Sequence, residues 1–366
     1  MARPTRWGSI ALLDAARPSL PWPERLLIVG PDGLGDTLVA LPMLRRLQGK
    51  SPRTRVTWMA RAALHPVVQM MGVDAIADRD DRRELDVRAF DAIVATADVD
   101  AAFFGGMARL SEVPVRIGPH GARARPPVWN HLVRAAWLGR PRHEAQRFLR
   151  RLLPFGHGGP ADAVELCRGI RLDPPPVRLP DDLPAGAVVL HPFSMGNGRE
   201  WPLGHWIDVA GRLTAQGLPV VFTGSAAEGE RLAAAWPRPQ RPAAVADATG
   251  RLGLVQLATL LHAARAVAAA GTGPLHLAAA LGTPTLGLFP PRKGVATDRW
   301  AAIGPAAVSV QSQAACRRAR CQNDDCRCMA ALAPERVARA LQPQPQRTLD
   351  LAPLAPYLRA APCTSS

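Results

Sequence analysis

Apolar residues in this chain fall into short unbroken runs separated by stretches with a helical stripe, and the alternation occurs twice. Leu26-Leu27-Ile28-Val29 reads as a buried strand, because no polar residue interrupts it. A glycine-rich turn, Gly30 to Gly35, follows. Asp36 then opens a stretch that puts Leu38, Leu41, Leu44 and Leu47 on one helical face. Pro42 lies inside that stretch and predicts a kink, or a helix confined around it. Further strands are expected at Val56–Met59, Ala92–Ala95 and Val115–Ile117. Residues 156–185 contain Pro174-Pro175-Pro176 and Pro180 without an apolar period, and read as a linker.

The pattern then restarts. Strands are expected at Ala187–Leu190, Pro219–Thr223, Ala266–Ala270 and Thr285–Phe289. Helices are expected at Pro202–Gln216, Ala226–Trp236, Leu254–Ala264, Pro274–Leu281 and Pro334–Leu341. Strand–helix alternation in both halves predicts an α/β chain of two Rossmann-like, doubly wound parallel-sheet domains. The boundaries read as an extension at 1–23, a first domain at 24–165, a linker at 166–185, a second domain at 186–342 and a tail at 343–366. Ligands of such sheets sit at the carboxyl ends of the strands, so two domains facing across a cleft would suit a two-substrate enzyme.

Composition narrows the classes. With 366 residues and 48% hydrophobic side chains, the chain can bury two cores and does not read as disordered. Its formal net charge is +15, and all but Lys50 and Lys293 of its 45 basic residues are arginine. Genomic base composition accounts for part of that bias or most of it; the functional reading is attraction to an anionic partner such as phosphate, acidic sugar, nucleic acid or a lipid head group. Aromatics make up 5% and are scattered, which argues against a nucleic-acid platform. The apolar run at Ile10–Leu13 stops at Asp14, too short for a secretion signal. Ala266–Phe289 carries no formal charge, but Gly271, Gly273, Pro274, Gly282 and Pro284 break it, as befits strand–turn–helix–strand rather than a membrane span. The expectation is a soluble, cytoplasmic chain whose six cysteines are thiols or metal ligands rather than disulfides.

Four segments carry chemistry. Gly30-Pro31-Asp32-Gly33-Leu34-Gly35-Asp36 follows a strand but is neither a dinucleotide fingerprint nor a P-loop. Asp36 there is either a helix N-cap or a general base. Gly271-Thr272-Gly273-Pro274 again joins strand to helix, with exposed amides and a hydroxyl that could cradle a diphosphate, or serve only as a tight turn. In His191-Pro192-Phe193-Ser194 to Arg199-Glu200-Trp201-Pro202, Arg199 either holds a diphosphate or is a solvated loop residue. After Thr223-Gly224, Glu228 either accepts ribose hydroxyls or is a first-turn acid favoured by the helix dipole.

Taken in order, these segments resemble the lipopolysaccharide heptosyltransferase family, glycosyltransferase family nine. The resemblance rests on Gly33-Leu34-Gly35-Asp36, Leu41-Pro42, His191-Pro192, Arg199-Glu200-Trp201-Pro202, Thr223-Gly224 and the run Gly273 to Pro284, and spans Arg25 to Leu341. It implies the GT-B architecture, with the acceptor bound by the N-terminal domain and the nucleotide sugar by the C-terminal one. It also implies inversion at the anomeric carbon without a metal or cofactor. Asp36 would be the base. Gly33, Gly35 and Arg116 would lie on the acceptor side. Ser194, Arg199, Gly271, Thr272, Gly273 and His276 would hold the donor diphosphate, and Thr223 and Glu228 the nucleotide. A base, an anomeric carbon and a stabilised leaving group give in-line displacement.

The implied donor is a nucleotide-diphosphate sugar, an ADP-sugar by preference and heptose among the candidates. The implied acceptor is anionic and lipopolysaccharide-like, met by a protein with peripheral contact at the inner face of the inner membrane. Two departures stand out. The family usually carries Asp where this chain has Gly271, and Phe-Gly where it has Phe289-Pro290. The first leaves open a different sugar and glycan acceptor on the same fold, or a paralogue that binds without turnover. Residues 115–151 hold nine arginines against Glu144 alone, either as an acceptor surface or as solvated charge. Cys316, Cys321, Cys326 and Cys328 lack the paired spacing of a zinc site, so thiols are expected there and a metal is the alternative.

Overall fold

The computed structural model describes residues 11–12, 19–81, 85–96, 99, 102–119, 128–133, 143–167, 169–194, 200–292, 294–315, 327–342 and 348–358. The chain divides into two units, Met1–Ala161 and Asp162–Ser366. Each is built on one sheet in which every described strand pair is parallel.

In the first unit the strands are β1 (Ala11–Leu12), β2 (Arg25–Val29), β3 (Arg55–Ala60), β4 (Ala75–Asp78), β5 (Ala92–Ala95), β6 (Val115–Pro119) and β7 (His131–Val133). Their order is β1-β7-β6-β5-β2-β3-β4. Leu26 to Val29 and Ala92 to Ala95 are fully buried. Strands covered on both faces need unbroken apolar runs, which is why these two read so clearly in the sequence. Each large apolar side chain buried this way contributes about 1.5–3 kcal/mol. The chain runs from β2 towards β3 and β4 on one side, then returns to β5, β6 and β7 on the other. The order therefore reverses between β2 and β5, the switch point where such sheets leave a crevice.

Pro42 does not kink one helix but separates two. Leu34–Val39 ends at Ala40, and Leu41–Lys50 begins with Pro42 in its first turn. A proline further inside would lack its N–H and strike the carbonyl four residues back, whereas at a helix start it costs nothing. The segment expected to extend beyond the core is partly built in. Ala11–Leu12 pairs with β7, the Leu20 amide donates to the Pro154 carbonyl at 2.7 Å, and Trp22 stacks on Phe155 with centroids 4.8 Å apart.

In the second unit the strands are β8 (Val188–His191), β9 (Val220–Phe222), β10 (Val245–Asp247), β11 (Ala266–Ala270), β12 (Thr285–Phe289) and β13 (Ala307–Gln311), in the order β10-β9-β8-β11-β12-β13. Here the reversal falls between β8 and β11. Helices Leu203–Thr214, Ala226–Ala235, Leu254–Ala263, Gly273–Ala280 and Pro334–Ala340 match the predicted ones within two residues at each end. Part of the expected tail also packs: Leu354 is fully buried and Leu358 bridges to Val310. Among the described residues, no helix is long and apolar enough to cross a membrane.

Candidate functional site

In the first unit the carboxyl end of β2 leads into the glycine-rich turn. Gly30 is dictated by packing: a Cβ there would stand 2.2 Å from Trp58 Nε1 and 2.8 Å from the Met59 carbonyl. The turn is braced from neighbouring strands. Arg79, just past β4, donates from Nη1 to the Gly30 carbonyl at 3.0 Å and to Asp32 Oδ1 at 2.8 Å. Its guanidinium also lies 5.4 Å from the Phe103 ring centroid. Arg61, just past β3, adds a looser contact to Asp32 at 3.6 Å.

The helix beginning at Leu34 has Gly33 as its N-cap, with no side-chain cap. Asp36 is therefore not the N-cap but the third helical residue. Its carboxylate turns back over the cap, where Oδ2 stands 2.8 Å from the position a Gly33 Cβ would take. Gly33 thus has a steric reason to lack a side chain. Asp36 and Gly35 are half-buried. Thr37, fully buried, donates its hydroxyl to the Gly33 carbonyl at 2.9 Å and tightens the same turn.

Arg116 serves backbone rather than solvent. Its guanidinium donates to the Val113 and Val128 carbonyls at 2.6 and 3.0 Å, and burial holds its pKa below the usual value. Of the basic stretch, Arg123, Arg125, Arg134, Arg140 and Arg142 lie outside the described residues.

In the second unit, the switch point brings the loop after β8 beside the turn after β11; His191 pairs in register with Ala269. His191 is buried, and its Nδ1 shares a 3.0 Å hydrogen bond with the Thr223 hydroxyl. Burial pushes the imidazole down to about 4 against the opposing pull of Glu228 and Glu200, so it is neutral at pH 7.

Ser194 is buried, and both of its donors are taken. Its amide and hydroxyl donate to Glu200 Oε1 at 2.9 and 3.0 Å. Glu200 Oε2 accepts from Arg231 at 2.8 Å, and that guanidinium lies 5.0 Å from the Phe193 ring centroid. Phe193, Glu200 and Arg231 line a small cavity of about 100 Å³ with Pro192, Trp201, Pro202 and Leu203. Arg199 lies outside the described residues.

Glu228 takes the first-turn place of its second sequence reading. It is buried and completes a capping box: its Oε2 accepts the Ser225 amide at 2.7 Å, and its own amide donates to Ser225 Oγ at 3.3 Å. Thr272 is the N-cap of Gly273–Ala280, yet its hydroxyl donates backwards to the Ala270 carbonyl at 3.2 Å. No side chain caps that helix, so its first amides face the turn uncapped. His276 is buried one turn in. Gly271 is exposed, but a Cβ on it would stand 2.7 Å from Phe289 Cε1.

The contacts of Glu200, Arg231, Asp32 and Arg79 escaped sequence reading. Glu200 and Asp32 each stood inside a quoted motif, while Arg79 and Arg231 follow no motif and are placed only by the fold. Among the described residues no group of His, Cys, Asp and Glu is arranged to hold a metal. Cys316, Cys321 and Cys326 lie outside them, and Cys328 turns its thiol toward the Ala315 carbonyl at 3.7 Å. The expectation of thiols rather than disulfides fails at Cys167, which is disulfide-bonded; spacing alone gives no sign of such a pairing.

Residues 173–328 match the family model of glycosyltransferase family 9 (heptosyltransferase). A stretch of 167 residues, 40% of the chain, is 36% identical to lipopolysaccharide heptosyltransferase 1 of Pseudomonas aeruginosa and spans 44% of that protein, less than half its length. The fold matches the E. coli ADP-heptose lps heptosyltransferase II over 86% of this chain and 96% of that one, with TM-score 0.65 and 21% identity. It also matches the E. coli heptosyltransferase WaaC with ADP over 86% and 97%, with TM-score 0.56 and 18% identity. A glycosyltransferase family 9 protein from Veillonella parvula matches over 86% and 94%, with TM-score 0.62 and 16% identity. Residues 173–328 therefore resemble a glycosyltransferase family 9 domain, in a chain whose fold matches those of the solved heptosyltransferases.

Proposed function

We propose that the chain is a glycosyltransferase of lipopolysaccharide or related surface-glycan synthesis, working in the cytoplasm on an anionic acceptor. The second unit takes a nucleotide-diphosphate sugar, an ADP-sugar by preference. The observation that carries this reading is the uncapped turn Gly271–Gly273 beside the buried His191 loop at the switch point of the second sheet. Uncapped helix amides and a partial positive charge of about half a unit favour a diphosphate there.

Asp36 in the first unit is the base that takes the acceptor hydroxyl's proton. Oxygen attack at the anomeric carbon breaks the bond to the diphosphate and inverts that centre. The leaving group's charge falls on backbone amides and arginine rather than on a metal. His191, neutral at pH 7, brings no positive charge to the diphosphate. Because Ser194's donors are engaged by Glu200, its part in this reading is to shape the loop.

Two experiments test this. ADP at ~100 times its Kd should add about 2.7 kcal/mol and shift the melting point by several degrees, with UDP and GDP as comparisons. Asp36→Ala should lower turnover roughly 10²–10⁴-fold with ADP binding kept. Product mass from an ADP-sugar panel and a rough-lipopolysaccharide acceptor names the sugar. A chain that binds nucleotide but gives no product with any donor would be a non-catalytic paralogue.

A further inference from the structure

Glu200 has no part in the proposed transfer, yet it is a buried acid with both carboxylate oxygens engaged. It accepts the Ser194 amide and hydroxyl on one oxygen, at 2.9 and 3.0 Å, and the Arg231 guanidinium on the other, at 2.8 Å. Only 6% of it is exposed. A carboxylate so placed is tolerable only because its lone pairs are satisfied, and removing it would strand the two buried Ser194 donors and release the half-exposed Arg231 guanidinium.

The donors come from two places. Ser194 lies in the loop after β8. Arg231 belongs to helix Ala226–Ala235, whose first turn carries Glu228. Next to Glu200, Trp201 is 1% exposed and donates its indole N–H to the Leu332 carbonyl at 3.0 Å, so Glu200 cannot swing out without unseating a core side chain. Arg231 is fixed a second time by the face of Phe193 at 5.0 Å.

The geometry points to Glu200 as a positioning residue of the nucleotide site: it fixes the spacing between the loop after β8 and the helix that presents Glu228. It touches no nucleotide itself. The inference rests on the reading of this unit as the nucleotide-sugar site.

The test is ADP binding by calorimetry on the full chain, for wild type, Glu200→Ala and Glu200→Gln. Glu200→Ala should weaken ADP by about tenfold or more. Glu200→Gln should recover only part of the loss: its amide oxygen still accepts both Ser194 donors, but its NH2 faces the Arg231 guanidinium and cannot accept from it. Arg231→Met should match Glu200→Gln, because both free the helix and leave Ser194 held. Circular dichroism shows whether each variant is folded; if Glu200→Ala is not, weaker ADP binding by both Glu200→Gln and Arg231→Met than by wild type still decides. ADP affinity equal in all folded variants would overturn the positioning role and leave the nucleotide reading intact. Failure of the wild-type chain to bind ADP, UDP or GDP would overturn both.

Discussion

The ring of Phe289 rests on the bare α-carbon of Gly271: a Cβ at that glycine would stand 2.7 Å from Cε1. The opposite edge of the ring meets Gly287 in the same way, at 2.8 Å from Cε2. The family resemblance places an aspartate at position 271, and this chain has no room for it while Phe289 keeps its place. Gly271→Asp should therefore destabilise the chain by about 1–3 kcal/mol through overpacking. Combining it with Phe289→Leu should cost less than the two changes summed. Urea midpoints of the three variants check this, and strict additivity would remove the coupling.

A similar contact governs the proposed base. Gly33→Ala would put a methyl group 2.8 Å from Asp36 Oδ2 and push the carboxylate off the helix cap. A displacement of this size at a reacting group should lower kcat by roughly tenfold or more. ADP affinity should hold, because that site belongs to the other unit. Equal kcat in Gly33→Ala and wild type would show that the orientation of Asp36 over its cap does not matter for turnover.

Acid stability offers a separate check. Folded His191 stays neutral down to about pH 4, because burial disfavours its charge. In the unfolded chain it takes a proton near 6.5, its ordinary value. Between those limits the unfolded state binds more protons, so stability falls as pH drops from about 6.5 to about 4. The loss from this one group is on the order of 3 kcal/mol. His191→Asn can keep a hydrogen bond to Thr223 and cannot titrate, so its unfolding midpoint should fall less steeply over the same window. Parallel curves for the two proteins would mean that other groups set the acid limb.

The central strands and the long second-unit helices were legible because their burial is total and local: Leu26–Val29 and Ala266–Ala270 show no polar residue to confuse the period. Strands β1, β4, β7, β10 and β13 were not foreseen. Two of them, β4 and β10, have no buried residue, so they lack the unbroken apolar run that marks a covered strand. In β7, three residues are too few to show a period. The site was legible where a glycine or a helix start announced itself, as at Gly33, Gly271 and Asp36. It was not legible where a long side chain arrives from a distant strand or helix, as Arg79 does at Asp32 and Arg231 at Glu200. Sequence gives such a residue no pattern; only the strand order brings it in.

Glu228 caps its helix, and substitution can separate that role from the one proposed at the ribose. Its carboxylate and the Ser225 hydroxyl satisfy each other's amides at the start of helix Ala226–Ala235. Ser225→Ala removes the cap and should cost about 1 kcal/mol of stability, with ADP affinity unchanged. Glu228→Gln keeps an oxygen for the Ser225 amide but loses the charge. If that charge meets the ribose hydroxyls, the change should weaken ADP by about tenfold, since hydrogen bonds to charged groups exceed neutral ones by about 1–1.5 kcal/mol. It should also erase the preference for ADP over its 2′,3′-dideoxy analogue, which offers no hydroxyls to accept from. Should Glu228→Gln keep that preference and lose only stability, the carboxylate would be a helix cap and nothing more, and the ribose contact would have to be sought elsewhere in the second unit.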